Sequence, residues 1–351
     1  MVEVVTLTDG GQDAAFVADR LARFLGDARE TLDLALYDLR LDGDAEATVV
    51  GALRAADARG VRVRIAYNTD HRNPIPVPPP PEAVPDDIES LPVATKAISG
   101  IPDLMHHKFV VRDGEALWSG SMNWTTDSWT HQENAIVTLA SREIAADFTR
   151  DFEELWQTGI VEESGPKTRP ADVDGTPVQA WFSPKRGEAL AQRIASRIAR
   201  ASRRVRIASP VITSAPILGT LAEAVSDGRL DIAGVVDATQ MRDVFRQWRE
   251  NGNAAWKIPL LGRVLERGQF TGKESTPWGP GTLHDFMHAK VTVADDTVFV
   301  GSFNLSHSGE KNAENVLEIR DSALADRLSD YIEGVRGLYP PFAGPPQRAG
   351  D

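Results

Sequence analysis

The chain of 351 residues contains no cysteine. Disulfides, thiolate metal sites and a cysteine nucleophile are therefore excluded, and the redox compartment stays open. No stretch approaches the ~20 apolar residues that a membrane-spanning helix needs. The opening MVEVVTLTDGGQD has neither the basic nor the apolar region of a secretory signal. Positive charge is also short: 38 Lys and Arg against 51 Asp and Glu give a formal net charge of −13, which argues against coating nucleic acid by bulk electrostatics while allowing a local basic groove. With 42% hydrophobic and 25% charged residues, the composition is that of a soluble globular protein with room for two domains. A cytoplasmic location is expected, or a secreted one if a signal peptide was removed.

What the sequence does have is a repeat. MHHKFVVRDGEALWSGSMNWT, Met105 to Thr125, returns as MHAKVTVADDTVFVGSFNLS, Met287 to Ser306. His106, Lys108 and Asp113 meet His288, Lys290 and Asp295 at an offset of 182; Gly120, Ser121, Asn123 and Glu133 meet Gly301, Ser302, Asn304 and Glu314 at 181, so one residue is lost at a turn between Asp and Gly. Amphipathic helical patterns precede each copy (Val17, Leu21, Phe24; Leu190, Ile194, Ile198), and a closing helix follows it, Ile144, Phe148, Phe152 and Leu155 matching Leu324, Leu328, Ile332 and Val335 at an offset of 180. Each half reads helix, strand, helix, strand, hairpin, helix. This predicts an α/β fold of two tandem α-β-α sandwich lobes with mixed sheets: residues 1–165, a polar Gly- and Pro-rich linker at 166–177, and residues 178–351.

Two stretches lack a counterpart. Asn73 to Asp87, NPIPVPPPPEAVPDD, is too rich in proline for helix or central strand and reads as a stiff extended loop, a connector or a lid. Met241 to Lys273 carries seven basic residues against three acidic ones, interleaved with Phe245, Trp248, Trp256 and Phe270. It is either a solvated helix face or a surface for anionic phosphate compounds.

Side chains alternate across a strand, so His106 and Lys108 share a face, as do Ser121 and Asn123 on the returning strand; His288 with Lys290 and Ser302 with Asn304 repeat this. Such a donor-rich set suits a phosphoryl group. If the lobes pack about a pseudo-two-fold axis, both clusters enter one pocket. One histidine can then attack phosphorus while the other protonates the leaving oxygen and later activates water. Glu133 and Glu314 are the expected acceptors that fix the two imidazole tautomers. His107, His131, His284 and His307 have no partners in register and are expected to be structural, with His131 and His284 possible rim residues. Trp124, Trp129 and Trp278 lie near the motifs, as substrate contacts or as core. A metal site from His106, His288, Asp103 and Asp285 is disfavoured because Lys108 and Lys290 would repel a dication.

Both copies resemble the HxKxxxxD signature of the phospholipase D superfamily. Gly120 to Asn123 and Gly301 to Asn304 resemble its Gly-Ser-x-Asn element, and Glu133-Asn134 and Glu314-Asn315 its downstream Glu-Asn pair. The resemblance implies phosphodiester chemistry through a phosphohistidine without metal or cofactor, with His106 as nucleophile, His288 as acid, and Asp113 and Asp295 as supports. It also implies that one chain supplies a complete site. The expected substrate is a phospholipid presented at a membrane surface, hydrolysed or exchanged at its headgroup; the alternative is a nuclease acting on DNA or RNA.

Overall fold

A computed structural model of the protein describes residues 1–70, 88–252, 254–277, 279 and 281–344. The proline-rich stretch Asn73 to Asp87 and Trp278 lie outside the described residues. Two sheets carry the fold. The first is assembled from β1 (Val2–Leu7), β2 (Thr31–Leu36), β4 (Arg62–Thr69), β5 (Ala94–Ser99), β6 (Lys108–Arg112), β7 (Ala116–Gly120) and β9 (Asn134–Ala140), with the two-residue strands β3 (Leu39–Arg40) and β8 (Trp124–Thr125) paired separately. The second contains β10 (Ala171–Val173), β11 (Thr176–Ser183), β12 (Arg204–Ala208), β13 (Asp231–Asp237), β14 (Phe270–Lys273), β15 (Val291–Ala294), β16 (Thr297–Gly301) and β17 (Glu314–Arg320).

The strand orders are β1-β9-β7-β6-β2-β4-β5 and β10-β11-β17-β16-β15-β12-β13-β14. Without β10 the second order reproduces the first strand for strand. Both sheets are mixed: β2, β4 and β5 run parallel to one another, as do β12, β13 and β14, while the motif hairpins β6-β7 and β15-β16 are antiparallel. Part of the expected linker 166–177 is itself structured. β10 pairs antiparallel with β11, Val173 opposite Thr176, as an edge hairpin of the second sheet.

The closing helices Arg142–Thr158 and Ser322–Arg336 begin with side-chain caps, Ser141 accepting from Ile144 N and Asp321 from Leu324 N. Their predicted apolar stripes are buried, and they share a single hydrophobic cluster with Phe109 and Leu117 of the first sheet and Val291 and Val300 of the second. Each lobe's remaining helices, among them Ala14–Gly26 and Gly187–Arg200, cover the outer faces and bury Val17 and Leu21 in one case, Leu190, Ile194 and Ile198 in the other. The halves are thus welded through a common core, and the motif hairpins are held against each other.

The second lost residue of the repeat also becomes visible. Gly120 pairs with Ile136 and Gly301 with Val316. Leu7 pairs with Asn134 and Ser183 with Glu314. In strands β9 and β17 the structural offset is therefore 180, already that of the closing helices, so the counterpart of Glu314 is Asn134 and that of Ala313 is Glu133. This corrects the expected pairing of Glu133 with Glu314. The near-identical spelling Glu-Asn hides a one-residue slip after the short helices Thr126–Thr130 and His307–Lys311.

Candidate active site

Two reciprocal backbone bridges bring the motifs together. Met105 bridges Ala313 and Met287 bridges Glu133; His106 N donates to Ala313 O at 2.9 Å, and Glu133 N to Phe286 O at 3.3 Å. Each histidine is thereby set beside the strand that opens with the other lobe's acceptor. At the head of each parallel strand pair, Asn68 Oδ1 accepts Met105 N at 3.0 Å and Asp237 Oδ2 accepts Met287 N at 3.3 Å. These two positioning residues were missed in the sequence, where AYN and VVD ending the second strand of each half were the available signal.

His106 Nδ1 lies 2.8 and 2.9 Å from the Glu314 carboxylate oxygens. His288 Nδ1 lies 3.1 Å from Asn134 Oδ1, whose orientation is fixed because Asn134 Nδ2 donates to Ser128 O at 3.0 Å and Ser121 Oγ donates to Oδ1 at 2.7 Å. An acceptor at each Nδ1 places an N–H there and leaves Nε2 as the nitrogen for chemistry. Both imidazoles line one cavity of about 600 Å³, together with Tyr37, Asn123, Asn304 and Phe286. The Tyr37 ring meets His106 edge-on, with centroids 4.8 Å apart, and takes the Lys108 ammonium on its face at 4.8 Å.

The expected residues do not all touch this cavity. Asn123 and Asn304 do, and their buried Oδ1 atoms have no hydrogen-bond partner among the described residues. Lys108 and Lys290 lie beneath it, buried, donating back to His106 O at 2.6 Å and His288 O at 2.8 Å. Ser121 and Ser302 are fully buried and act as braces: Ser121 Oγ accepts Ala135 N at 3.0 Å, and Ser302 Oγ accepts Asn315 N at 3.0 Å. The glycine before each serine has a steric reason. A Cβ on Gly120 or Gly301 would sit 2.1 Å from Ala135 O or Asn315 O.

Glu133, expected beside His288, is engaged elsewhere. Lys273 Nζ donates to its carboxylate oxygens at 3.1 and 3.3 Å, Tyr339 Oη donates to it as well, and Lys273 also pairs with Asp9 at 3.0 Å. Lys273, the last basic residue of the segment from Met241, is therefore buried structure, whereas Lys257 of the same segment lines the cavity with Trp248.

Asp113 and Asp295 support the hairpins. Each sits in the left-handed region, φ 55° and 50°, and accepts three consecutive backbone N–H groups, from Arg29, Glu30 and Thr31 or from Ser202, Arg203 and Arg204. His107 is buried, with Nε2 2.8 Å from Asp151 and Nδ1 accepting from Asn315 Nδ2 at 3.0 Å. His131 pairs with Asp9; His284 stacks on Phe286 at the cavity wall, and His307 joins the lining. Trp124 and Trp129 are fully buried core. Asp285 accepts Thr276 N at 2.7 Å, and among the described residues no group of three or more His, Asp or Glu is arranged to hold a metal ion.

Burial sets the electrostatics. It pushes both His106 and His288 well below the ordinary imidazole value, with Lys108 and Lys290 adding to the effect. It lowers Lys108 to about 7 and holds Lys290 well below its ordinary value. The Glu314 carboxyl is raised by burial to about 7, against the pull of Lys108 and Lys290. Four potential cations crowd a site whose unliganded form resists their charge, as expected of a site shaped around an anion.

The repeat, its two complete motif copies and this shared cavity agree with the sequence comparison. A family described as cardiolipin synthase, PLD-like domain, matches residues 21–156 and 194–336. The chain belongs to the phospholipase D superfamily. Among curated relatives, the mitochondrial cardiolipin hydrolase of Xenopus tropicalis is 32% identical over 148 residues, 41% of this chain and 62% of that protein. That of Chlamydomonas reinhardtii is 28% identical over 139 residues, 39% of this chain and 56% of that protein. The chain thus spans about three fifths of the length of these relatives. In three dimensions it is similar to phosphatidylserine synthase from Haemophilus influenzae Rd KW20, with a TM-score of 0.65 at 12% identity, covering 95% of this chain and 86% of that one. At that identity the likeness speaks for the two-lobed fold alone. No helix among the described residues is long and apolar enough to cross a membrane.

Proposed function

We propose that this superfamily member is a phosphodiesterase that works through a phosphohistidine without a metal ion, and that its substrate is a phospholipid. The observation that carries the chemistry is that both imidazoles line one cavity, each with an acceptor at Nδ1. Binding of the diester anion brings a second proton onto His288, at Nε2; His106 Nε2 then attacks phosphorus, an N–P bond forms, and the bond to the leaving oxygen breaks as that oxygen takes the Nε2 proton of His288. Water, or an alcohol, then gives its proton to His288 as its oxygen attacks phosphorus, and the N–P bond breaks to return His106. Lys108, Lys290, Asn123 and Asn304 hold the phosphoryl charge through the transition states. Two lysines beside the imidazoles, cationic once the phosphate anion is bound, leave a dication little reason to bind there.

The lipid assignment is supported by three exposed apolar side chains close in sequence to the cavity lining. Ile101, Trp256 and Leu283 are 53%, 60% and 51% exposed, large apolar side chains next or near in sequence to the cavity-lining Leu104, Lys257 and His284. Exposed apolar side chains of this kind suit a lipid surface. The relatives named cardiolipin hydrolase fit the same reading. The test is a side-by-side assay in EDTA on phosphatidylglycerol, phosphatidylcholine and cardiolipin vesicles and on single- and double-stranded DNA. Turnover of a vesicle substrate is expected; cleavage of DNA alone would replace the lipid reading with a nuclease, and loss of all activity in EDTA would remove the metal-free one.

A further inference from the structure

The two-fold repeat is broken at one place in the site. Glu314 and Asn134 occupy equivalent positions in β17 and β9, opposite Ser183 and Leu7 of the equivalent strands β11 and β1. One presents a carboxylate to His106, the other a neutral amide oxygen to His288. The carboxylate nearest Asn134 in the chain, Glu133, is bound by Lys273 and Tyr339, and Lys273 has no basic counterpart: in β5 the residue at its place in register is Ile98. We propose that this difference assigns the two histidines. Glu314 makes His106 the nucleophile, Asn134 makes His288 the proton donor, and Lys273 keeps Glu133 from cancelling the distinction.

The physical chemistry runs through the charge on each imidazole during the reaction. Attack by His106 Nε2 leaves a phosphoryl-imidazolium whose positive charge is spread over Nδ1–H, and an anion 2.8 Å away stabilises that charge as it develops. His288 has the opposite task. It must give up a proton to an alkoxide-like oxygen, and an amide oxygen on Nδ1 holds its imidazolium less firmly than a carboxylate would, so it remains a stronger acid. Burial disfavours the His288 cation most, and Lys290, Lys108, His106 and His284 add to that effect. Glu133 is the carboxylate whose backbone is bridged to the residue before His288. With Lys273 hydrogen-bonded to it, its charge is directed away from the site. Asn134 and Lys273 are thus positioning residues, acting on the reacting atoms through His288.

This assignment rests on the phosphohistidine reading, and the experiment separates the two. Bis(p-nitrophenyl) phosphate has a leaving group that needs no proton; its counterpart is whichever alkyl diester the vesicle and DNA comparison finds to be turned over best. In the wild type a burst of p-nitrophenolate and an acid-labile, base-stable protein phosphate are expected; their absence sinks the covalent reading and with it this assignment. Glu314→Gln is expected to slow the aryl burst at least about tenfold. Asn134→Asp is expected to leave the aryl burst within about twofold of wild type while slowing the alkyl diester about tenfold or more and moving the basic limb of its pH profile upward. Asn134→Ser, which keeps a neutral oxygen, should retain the wild-type basic limb. Lys273→Met, by releasing Glu133, should move that limb in the same direction as Asn134→Asp, and it carries the test if the aspartate variant does not fold. An aryl burst slowed as much by Asn134→Asp as by Glu314→Gln, or an unmoved basic limb in Asn134→Asp or Lys273→Met, overturns the assignment.

Discussion

His106 Nδ1 lies 2.8 Å from Oε2 of Glu314, a residue 208 positions away that opens the first strand after the other lobe's motif. This contact exists only while the two lobes hold their common core in register, so the setting of the proposed nucleophile is built by the repeat and not by either half. His106→Ala is expected to abolish both turnover and covalent phosphate labelling. His288→Ala should still form the intermediate from an aryl diester but release it slowly, so labelled protein accumulates. Radiolabel incorporation after brief denaturation in base reads both outcomes, and equal labelling of the two variants would contradict the assigned order.

Anion binding should be coupled to proton uptake. Burial lowers Lys108 to about 7 and holds His106, His288 and Lys290 below their ordinary values, so the unliganded site has lost protons that an anion would restore. For such depressed bases the bound state holds more protons than the free state above the free-state pKa, and affinity falls as pH rises through that region. Sulfate is a suitable probe because its charge is constant there. Its Kd is expected to rise about fivefold to tenfold per unit above pH 7, and calorimetry in buffers of different ionisation enthalpy should register proton uptake. A Kd flat from pH 6 to 9 would show that these groups do not hold the anion.

The same burial predicts a conflict between stability and function at Lys108. Its ordinary value of 10.5 falls to about 7 in the fold, so between those limits the unfolded chain holds the proton more firmly. Stability from this group is therefore lowest below about pH 7 and rises towards pH 10.5. Lys108→Met removes the buried ammonium while keeping its apolar stem. It is expected to flatten the rise in stability between pH 7 and 10.5 and to lower kcat by about 10²-fold or more. Urea unfolding at pH 6.5 and 9, together with turnover, checks this; a variant that keeps the wild-type pH dependence of stability and full activity would be the contrary result.

Much of this was legible in the chain because function is written twice. The HxK and Ser-x-Asn spacings fix which side chains share a strand face, and duplication supplies the second half of the site. The paired-sheet architecture and the buried closing helices follow from apolar periodicity. Two things were hidden. The slip between Asn123 and Asn134 moves the acceptor from Glu133 to Asn134, and a repeated Glu-Asn spelling conceals it; only strand pairing reveals the register. Lys273 and Tyr339 reach Glu133 from 140 and 206 residues away, through tertiary packing that no local pattern encodes. The serines fit the expected face but turn inward to brace the strands, since hydroxyls next to a closely approaching backbone meet N–H donors before any ligand.

The motif aspartates separate support from chemistry most cleanly. Asp113 and Asp295 sit at the hairpin turns, each tying three N–H groups at the start of a central strand while in the left-handed conformation. Those amides overcome the effect of burial and keep both carboxyls below their ordinary value, so the stability they add is present above about pH 4 and is lost as the carboxyls protonate at lower pH. Asp113→Ala removes the acceptor and places a residue with a Cβ but no local hydrogen bond in left-handed backbone. A loss of about 2–4 kcal/mol is expected, with Asp113→Asn retaining part of it because asparagine tolerates that backbone. Neither aspartate lines the cavity. The folded fraction should therefore keep KM and the pH profile of the wild type, measured at 15 °C where the variant remains folded. A large fall in kcat with unchanged stability would move these residues from the frame of the site into its chemistry.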